Sequence, residues 1–205
     1  MIGPAAFTTA WLVNGRRQSD YSVRDEHISG LAALDADHPH TMISGFIVLG
    51  LSTMTFATAL HTALRAGGRR PGPGPALLLI SGAGAVSAGL LRRDTVLLNP
   101  PGRTPDWEQS WHNNGHDLSA GVIYTCAVTA PLALAWRFRG DPDWRGVDAA
   151  AIAASAVSLG LMGFFATDVD RLGNGLVQRA MVTLPEAFMA AAALRLLRRP
   201  LPRTR

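Results

Sequence analysis

The stretch MISGFIVLGLSTMTFATAL, residues 42–60, contains no charged residue and decides the fold class of this chain. A second uncharged stretch, VIYTCAVTAPLALAW, occupies residues 122–136. The hydrocarbon core of a bilayer requires about 20 mostly apolar residues in each crossing helix. Five such stretches, with a shorter one at the start, therefore predict an all-α membrane bundle of six transmembrane helices.

The predicted bundle is a single integral membrane domain that covers residues 1–205. Its first helix is short and only partly apolar. Small residues recur every three or four positions in the third and fifth helices, which predicts close packing of those helices within the bundle. They are Ser81, Ala85 and Gly89, then Ala149, Ala153, Ala156 and Gly160. The six helices are predicted at approximately residues 2–14, 41–63, 75–91, 118–136, 147–166 and 175–197.

The composition argues against nucleic-acid binding and against an intramolecular disulfide. All 19 basic residues are arginine, and the pI is near 10.5. Nucleic-acid binders cluster their cations on one soluble face, whereas these arginines lie beside predicted helix ends, so no nucleic-acid partner is expected. The single cysteine, Cys126, lies in an apolar stretch and can form no intramolecular disulfide.

Arginine-rich loops predict the orientation, because short cytoplasmic loops of bacterial membrane proteins carry an excess of basic residues. Both termini are then cytoplasmic in a cell-membrane protein, which requires an even number of helices. Five of the six histidines and eleven of the fifteen acids fall in the opposite, extracytoplasmic half. The eleven arginines that define the inside are Arg65, Arg69, Arg70, Arg137, Arg139, Arg145, Arg195, Arg198, Arg199, Arg203 and Arg205.

The outer loop between the third and fourth helices offers a candidate metal site. In a helical conformation Glu108, His112 and His116 would share one face, and two imidazoles with a carboxylate are possible ligands for zinc or a similar divalent ion. The asparagines that follow His112 argue against a continuous helix there, and Asn114 is a candidate N-cap of the fourth helix. The alternative is an ordinary polar loop.

The first outer loop supplies a second set of acids and histidines, which suits general acid–base chemistry but equally fits a solvated acidic loop. The set comprises Tyr21, Asp25, Glu26, His27, Asp35, Asp37, His38 and His40.

A b-type haem would need two facing histidines, for which His40 and His116 are the only plausible pair, and no haem is expected.

The last helix carries ionisable residues at bilayer depth. Arg179, Thr183 and Glu186 fall on one helical face, and Pro185 interrupts the hydrogen bonding beside the acid. An ionisable group at that depth usually faces a cavity or a partner. We therefore expect Arg179 and Glu186 to line one cavity, with Asp168 and Asp170 as candidate partners for Arg179; the alternative is purely structural packing.

Several stretches of the chain resemble the bacterial membrane family named for domain of unknown function 998. They are residues 21–32 (YSVRDEHISGLA), residues 89–91 (GLL) before Asp94, His116, residues 175–179 (GLVQR) and residues 194–198 (LRLLR). The resemblance implies six membrane helices and no settled activity. This chain departs from the family pattern at Gln178, where members often have Glu, and near Glu186, where they often have Trp.

These observations predict a multi-pass membrane protein that binds a hydrophobic lipid-, isoprenoid- or polyketide-like molecule in a pocket open to the outer membrane face. Acid–base chemistry would make it an intramembrane hydrolase, cyclase or isomerase; the alternative is a non-catalytic module that binds lipid, senses or assembles. The predicted catalytic residues are His116, Asp117, Glu186 and Asp94, and the predicted substrate-binding residues are Arg179, His40, Trp111 and Thr183.

Overall fold

The computed structural model describes residues 2–66, 70–99, 108–167 and 173–198. Within these ranges the prediction of an all-helical chain is confirmed, since six α-helices and two short 3-10 helices occur and no strand does. The α-helices are α1 (Gly3–Arg17), α2 (Pro39–Ala66), α3 (Gly74–Leu90), α4 (Trp111–Phe138), α5 (Val147–Thr167) and α6 (Asn174–Leu197). The 3-10 helices are Ile28–Ala32, called the plug below, and Pro142–Trp144.

Four of the helices, α2, α4, α5 and α6, are long and apolar enough to cross a membrane, and α3 is a shorter apolar helix. Each α-helix packs against the next one in the chain, and α6 returns to contact α4 and α1. We call the end of the bundle at which α2, α4 and α6 begin the plug end, and the opposite end the arginine end.

The first helix runs antiparallel to α2 along the half of it nearest the plug end. Gly3 lies against Ser52, near the middle of α2, and Ala10 lies against Gly45. Close to the start of α2, Asn14 Nδ2 donates a hydrogen bond to the carbonyl of His38 at 2.9 Å. The 15 residues of α1 span about 22 Å, so α1 flanks only part of the 28-residue α2.

Two separate apolar clusters hold the bundle together. The cluster at the arginine end joins α2, α3, α4, α5 and α6, and includes Trp144 stacked on Phe138 with 4.0 Å between ring centroids. The cluster at the plug end joins α1, α2 and α3 to the plug, whose five residues are all buried. The space between the two clusters becomes the site described below.

The small residues of the third helix lie in a helix–helix contact. Ser81 and Ala85 are buried, and Gly89 lies against Phe46 of α2. Close backbone approach at this contact is what small side chains permit.

The prediction that the small residues of the fifth helix also pack within the bundle is wrong, because they lie on the exposed face of α5. These residues are Ala149, Ala153, Ala156 and Gly160. The buried face of α5 is carried instead by Ala151, Ser155 and Ser158, and Ser155 Oγ donates to the carbonyl of Val128 at 2.7 Å.

The fourth helix begins at Trp111, well before the predicted residue 118, and the prediction of Asn114 as its N-cap is wrong. Ser110 is the N-cap, since its Oγ accepts a hydrogen bond from the backbone N–H of Asn113. The Asp94 carboxylate in turn accepts from Ser110 N at 2.9 Å and from Ser110 Oγ at 2.6 Å. Asn113 is buried but satisfied, because its amide donates to Asp117 and to Gln109, so the polar sequence continues the helix.

Candidate functional site

A narrow cavity lies between the two apolar clusters and is bounded by α1, α2, α3, α4, α6 and the plug. Its empty volume is about 730 Å³, which includes space open to solvent. The walls are mainly aliphatic and aromatic, and the polar exceptions are Ser29, Thr53, Ser81, His116, Tyr124, Gln178 and Glu186.

The plug covers the cavity at the end that was expected to be open. Ile28 and Ser29 belong to the cavity lining, and Arg92 holds the plug by donating to the carbonyls of Ala32 and Ala33. The plug therefore forms part of the cavity wall at this end.

His116 is buried in the cavity wall in a defined tautomer. Its Nδ1 lies 2.9 Å from the carbonyl oxygen of Ala88 and 2.7 Å from that of Leu91, at the end of α3. Carbonyl oxygens only accept hydrogen bonds, so Nδ1 carries the proton, and in a neutral imidazole Nε2 is then the acceptor. No described residue donates to Nε2, which leaves this atom available to an occupant of the cavity.

Gln178 connects the plug to Tyr124 across the cavity. Its Oε1 accepts from the backbone N–H of Ile28 at 2.6 Å, and its Nε2 donates to Tyr124 Oη at 2.9 Å. The Ile28 donor determines which end of the amide is the oxygen. Because Tyr124 Oη accepts from Gln178, its own proton remains available as a hydrogen-bond donor.

Glu186 lies in the middle of α6 and is only 5% exposed. It follows the start of α6 at Asn174 by about 18 Å of helical rise. Its Oε1 has no hydrogen-bond partner among the described residues. Pro185 also lines the cavity and frees the carbonyl of Met181 from the helical hydrogen-bond ladder. Buried polar groups without partners are costly, so this depth of the cavity favours a polar occupant.

Arg179 does not line the cavity, so the expectation that it shares one with Glu186 is wrong. Its guanidinium extends back towards the start of α6, as helical side chains do, and donates to the carbonyls of Gly175 at 2.8 Å and Glu26 at 3.0 Å. It also donates to Tyr21 Oη at 2.5 Å and lies over the rings of Tyr21 and Trp11. Arg179 therefore anchors the segment before the plug.

Tyr21 completes this anchor as a neutral phenol. Burial raises the pKa of Tyr21 above its ordinary value, although the neighbouring Arg179 guanidinium opposes the shift. The hydroxyl accepts from Arg179 and donates to the carbonyl of His27 at 3.2 Å. The segment that leads into the plug is thus tied to α6.

The other predicted site residues lie outside the cavity lining. Asp94 supports the cap of α4, and Asp117 is exposed and accepts from Asn113. His40 is exposed at the start of α2, and Thr183 is exposed on the outer face of α6. Trp111, 76% exposed, begins α4. Asp168 and Asp170, the predicted partners of Arg179, lie outside the described residues.

The arrangement of His112 and His116 does not form a metal centre with other side chains. His112 Nδ1 lies 2.9 Å from the carbonyl oxygen of Arg92, and His116 Nδ1 also faces backbone carbonyls. Across residues 2–66, 70–99, 108–167 and 173–198, no group of three or more His, Cys, Asp or Glu side chains could hold an ion. Both residues instead hydrogen-bond the chain at the end of α3.

Tyr124 and Gln178 are two polar cavity residues that the sequence did not predict as site residues. Gln178 was noted only for the resemblance, and Tyr124 lies inside an uncharged stretch. A signal was present in principle, because a phenol or an amide inside an apolar helix must find a partner. The sequence does not say that the two residues partner each other.

The segment before the plug and the start of α6 form one continuous contact. Leu176 N donates to the carbonyl of Arg24 at 3.1 Å, and Gly173 N donates to Asp25 Oδ1 at 2.7 Å. The carbonyl of Glu26 lies so close to Gly175 that an added Cβ would come within 2.5 Å of it. Residues 21–32 and 175–179, which carried the resemblance noted above, therefore meet in space.

Residues 1–195 match the sequence profile of the family described as "Protein of unknown function (DUF998)". The chain belongs to this family. Three features that carried the resemblance surround the cavity of this DUF998 member or hold its plug. They are residues 21–32, His116 and residues 175–179. No curated protein and no solved structure matches the chain.

Proposed function

We propose that this DUF998 protein binds a hydrophobic lipid-, isoprenoid- or polyketide-like molecule, with one oxygen-bearing group, in the cavity between the plug and the arginine-end cluster. One observation carries the proposal. His116, Tyr124 and Glu186 line the same cavity, whose remaining walls are largely apolar. Ligand sites typically combine apolar walls with a few placed polar groups in this way.

The hydrogen-bonding capacity of the cavity suits a hydroxyl or carbonyl group. Tyr124 supplies a donor, because its oxygen already accepts from Gln178. His116 Nε2 supplies an acceptor, because Nδ1 is directed at the carbonyls that end α3. A hydroxyl group can use both, and the apolar remainder of the ligand would extend among Phe7, Phe46 and Leu49.

The same groups are suited to acid–base chemistry on the bound molecule. An isomerisation needs one proton removed and one returned, with no further reagent, and His116 and Glu186 are the two groups that would exchange those protons. Hydrolysis or cyclisation would use the same pair. The proposal gives no catalytic or ligand-binding role to three of the predicted residues, because each has a structural partner outside the cavity. These residues are Asp94, Asp117 and Arg179.

The membrane placement is also proposed: six helices embedded in a bacterial cell membrane, with both termini cytoplasmic and the plug facing outwards. The arginines at the arginine end support this orientation. Trp111 and Trp136, which are 76% and 78% exposed, lie near the two ends of α4. They are about 37 Å apart along the helix, which suits aromatic residues at two interfaces of one bilayer.

Binding of tritiated farnesol, an isoprenoid alcohol, to the full chain in detergent tests the proposal. Tyr124→Phe and Glu186→Leu should each weaken binding by ~10-fold, because each removes a hydrogen-bonding group from a buried site. Thr183→Val, on the exposed face of the same helix, should bind as the wild type does. Unaltered affinity in both cavity variants, with their folding intact, would contradict the proposal.

A non-catalytic binding module is the second candidate. Such a protein would hold its ligand without turnover. Extraction of the farnesol after prolonged incubation distinguishes the two candidates. An isomer formed by the wild type and not by Glu186→Gln supports catalysis, whereas recovery of unchanged farnesol from both supports the module.

A further inference from the structure

A second recess lies on the surface at the arginine end, where α4 ends and α3 begins. Its walls come from residues 70–73 before α3 and residues 133–137 of α4. Its empty volume is about 930 Å³, which includes space open to solvent. We call this recess the arginine groove.

The arginine groove carries positive charge without an opposing acid. Arg70 and Arg137 line it, and no acidic side chain does among the described residues. Arg137 Nε donates to the backbone carbonyl of Arg70 at 2.7 Å, which holds the guanidinium in place and leaves its terminal NH₂ groups as donors. A guanidinium with a fixed orientation is well suited to the oxygens of a phosphate.

The remaining walls of the groove are apolar. Ala133, Pro73 and the 78% exposed Trp136 form them, and Trp136 lies in the last turn of α4, where a tryptophan suits the membrane interface. An inorganic anion would use only the two arginines, but a phospholipid would use the arginines and the apolar wall together.

We propose that the arginine groove binds the phosphate of an anionic glycerophospholipid, with an acyl chain along Ala133 and Trp136. Basic recesses between membrane helices are suited to such headgroups. This site is separate from the central cavity and shares none of its lining residues. It does not depend on the ligand proposed above, but it rests on the proposed placement in a membrane. The bound lipid would hold the start of α3 against the end of α4.

Native mass spectrometry of the full chain, exchanged from detergent into mixed micelles, tests the inference. The probes are phosphatidylglycerol, phosphatidylcholine and inorganic phosphate. The wild type should retain phosphatidylglycerol in preference to phosphatidylcholine. Arg70→Gln combined with Arg137→Gln should reduce its retention roughly tenfold or more. Arg65→Gln is the matched control, since it removes one charge from the exposed last turn of α2, outside the groove.

Two further variants keep the test decisive. Arg70→Gln alone removes a guanidinium while the backbone contact from Arg137 persists, so a loss of binding there is not a folding defect. Trp136→Ala should weaken the lipid but not inorganic phosphate. Equal losses in Arg65→Gln and Arg70→Gln, or no preference for phosphatidylglycerol in the wild type, would overturn the proposal. Phosphate binding without lipid binding would overturn the lipid assignment in favour of a soluble anion.

Discussion

Gln178 Oε1 accepts a hydrogen bond of 2.6 Å from the backbone N–H of Ile28, 150 residues earlier in the chain. The next residue, Arg179, donates to the carbonyl of Glu26 on the other side of the same segment. Two consecutive residues of α6 therefore hold the chain at the first residue of the plug and two residues before it. One of them, Gln178, lines the central cavity, and the other, Arg179, lies outside it.

Gln178→Leu should destabilise the protein by about 1–3 kcal/mol, because it leaves the buried N–H of Ile28 without an acceptor. Thermal unfolding in detergent measures the change. Thr183→Val, on the exposed face of α6, should alter stability by less than about 0.5 kcal/mol. Equal stability of Gln178→Leu and the wild type would show that the contact with Ile28 contributes nothing.

Arg179→Ala should loosen the segment before the plug, because it removes donors to Glu26 and Tyr21. Hydrogen–deuterium exchange of residues 21–32 should increase. Arg179→Lys should restore only part of the protection, since an ammonium lacks the planar fork of donors. Arg17→Ala is the control, because Arg17 is exposed in the last turn of α1. Unchanged exchange in Arg179→Ala would refute the anchoring role.

Stability should decline in acid partly through Asp25, whose carboxylate accepts from Ser22 Oγ and Gly173 N at 2.7 Å each. The Ser22 hydrogen bond holds the pKa of Asp25 below its ordinary value. A lowered pKa in the folded state means that the stabilisation is present at neutral pH and is lost as the pH falls through that pKa.

Asp25→Asn should therefore be less stable than the wild type at pH 7, and the difference should shrink below about pH 4. Melting temperatures measured from pH 3 to pH 7 provide the comparison. A difference that stays constant over this range would rule out a contribution from the ionised Asp25.

The proposed orientation of the bundle predicts opposite labelling of its two ends. In a Cys126→Ala background, Asn99→Cys should react with a membrane-impermeant maleimide in intact cells, whereas Arg65→Cys should react only after lysis. Both positions are exposed in the structure, at the plug end and the arginine end respectively. Labelling of Arg65→Cys alone would reverse the topology and place the arginine groove outside the cell.

The sequence by itself determined the helical class and the depth of the acid in the last helix. Hydropathy is a local property, so the uncharged stretches 42–60 and 122–136 suffice to predict α2 and α4. Counting residues along a helix likewise puts Glu186 near the middle of α6. The local pattern failed at Trp111, because the Ser110 cap of α4 is supported by Asp94, which lies at the other end of the connection between α3 and α4.

Only the tertiary structure decided which polar groups share the cavity. Arg179 and Glu186 lie on one helical face, yet the long Arg179 side chain turns towards Tyr21 and leaves the cavity to Glu186. His116 faces the cavity in one tautomer because the carbonyls that end α3 lie beside it. Side-chain direction depends on partners from other helices, and the spacing of residues along one helix does not contain that information.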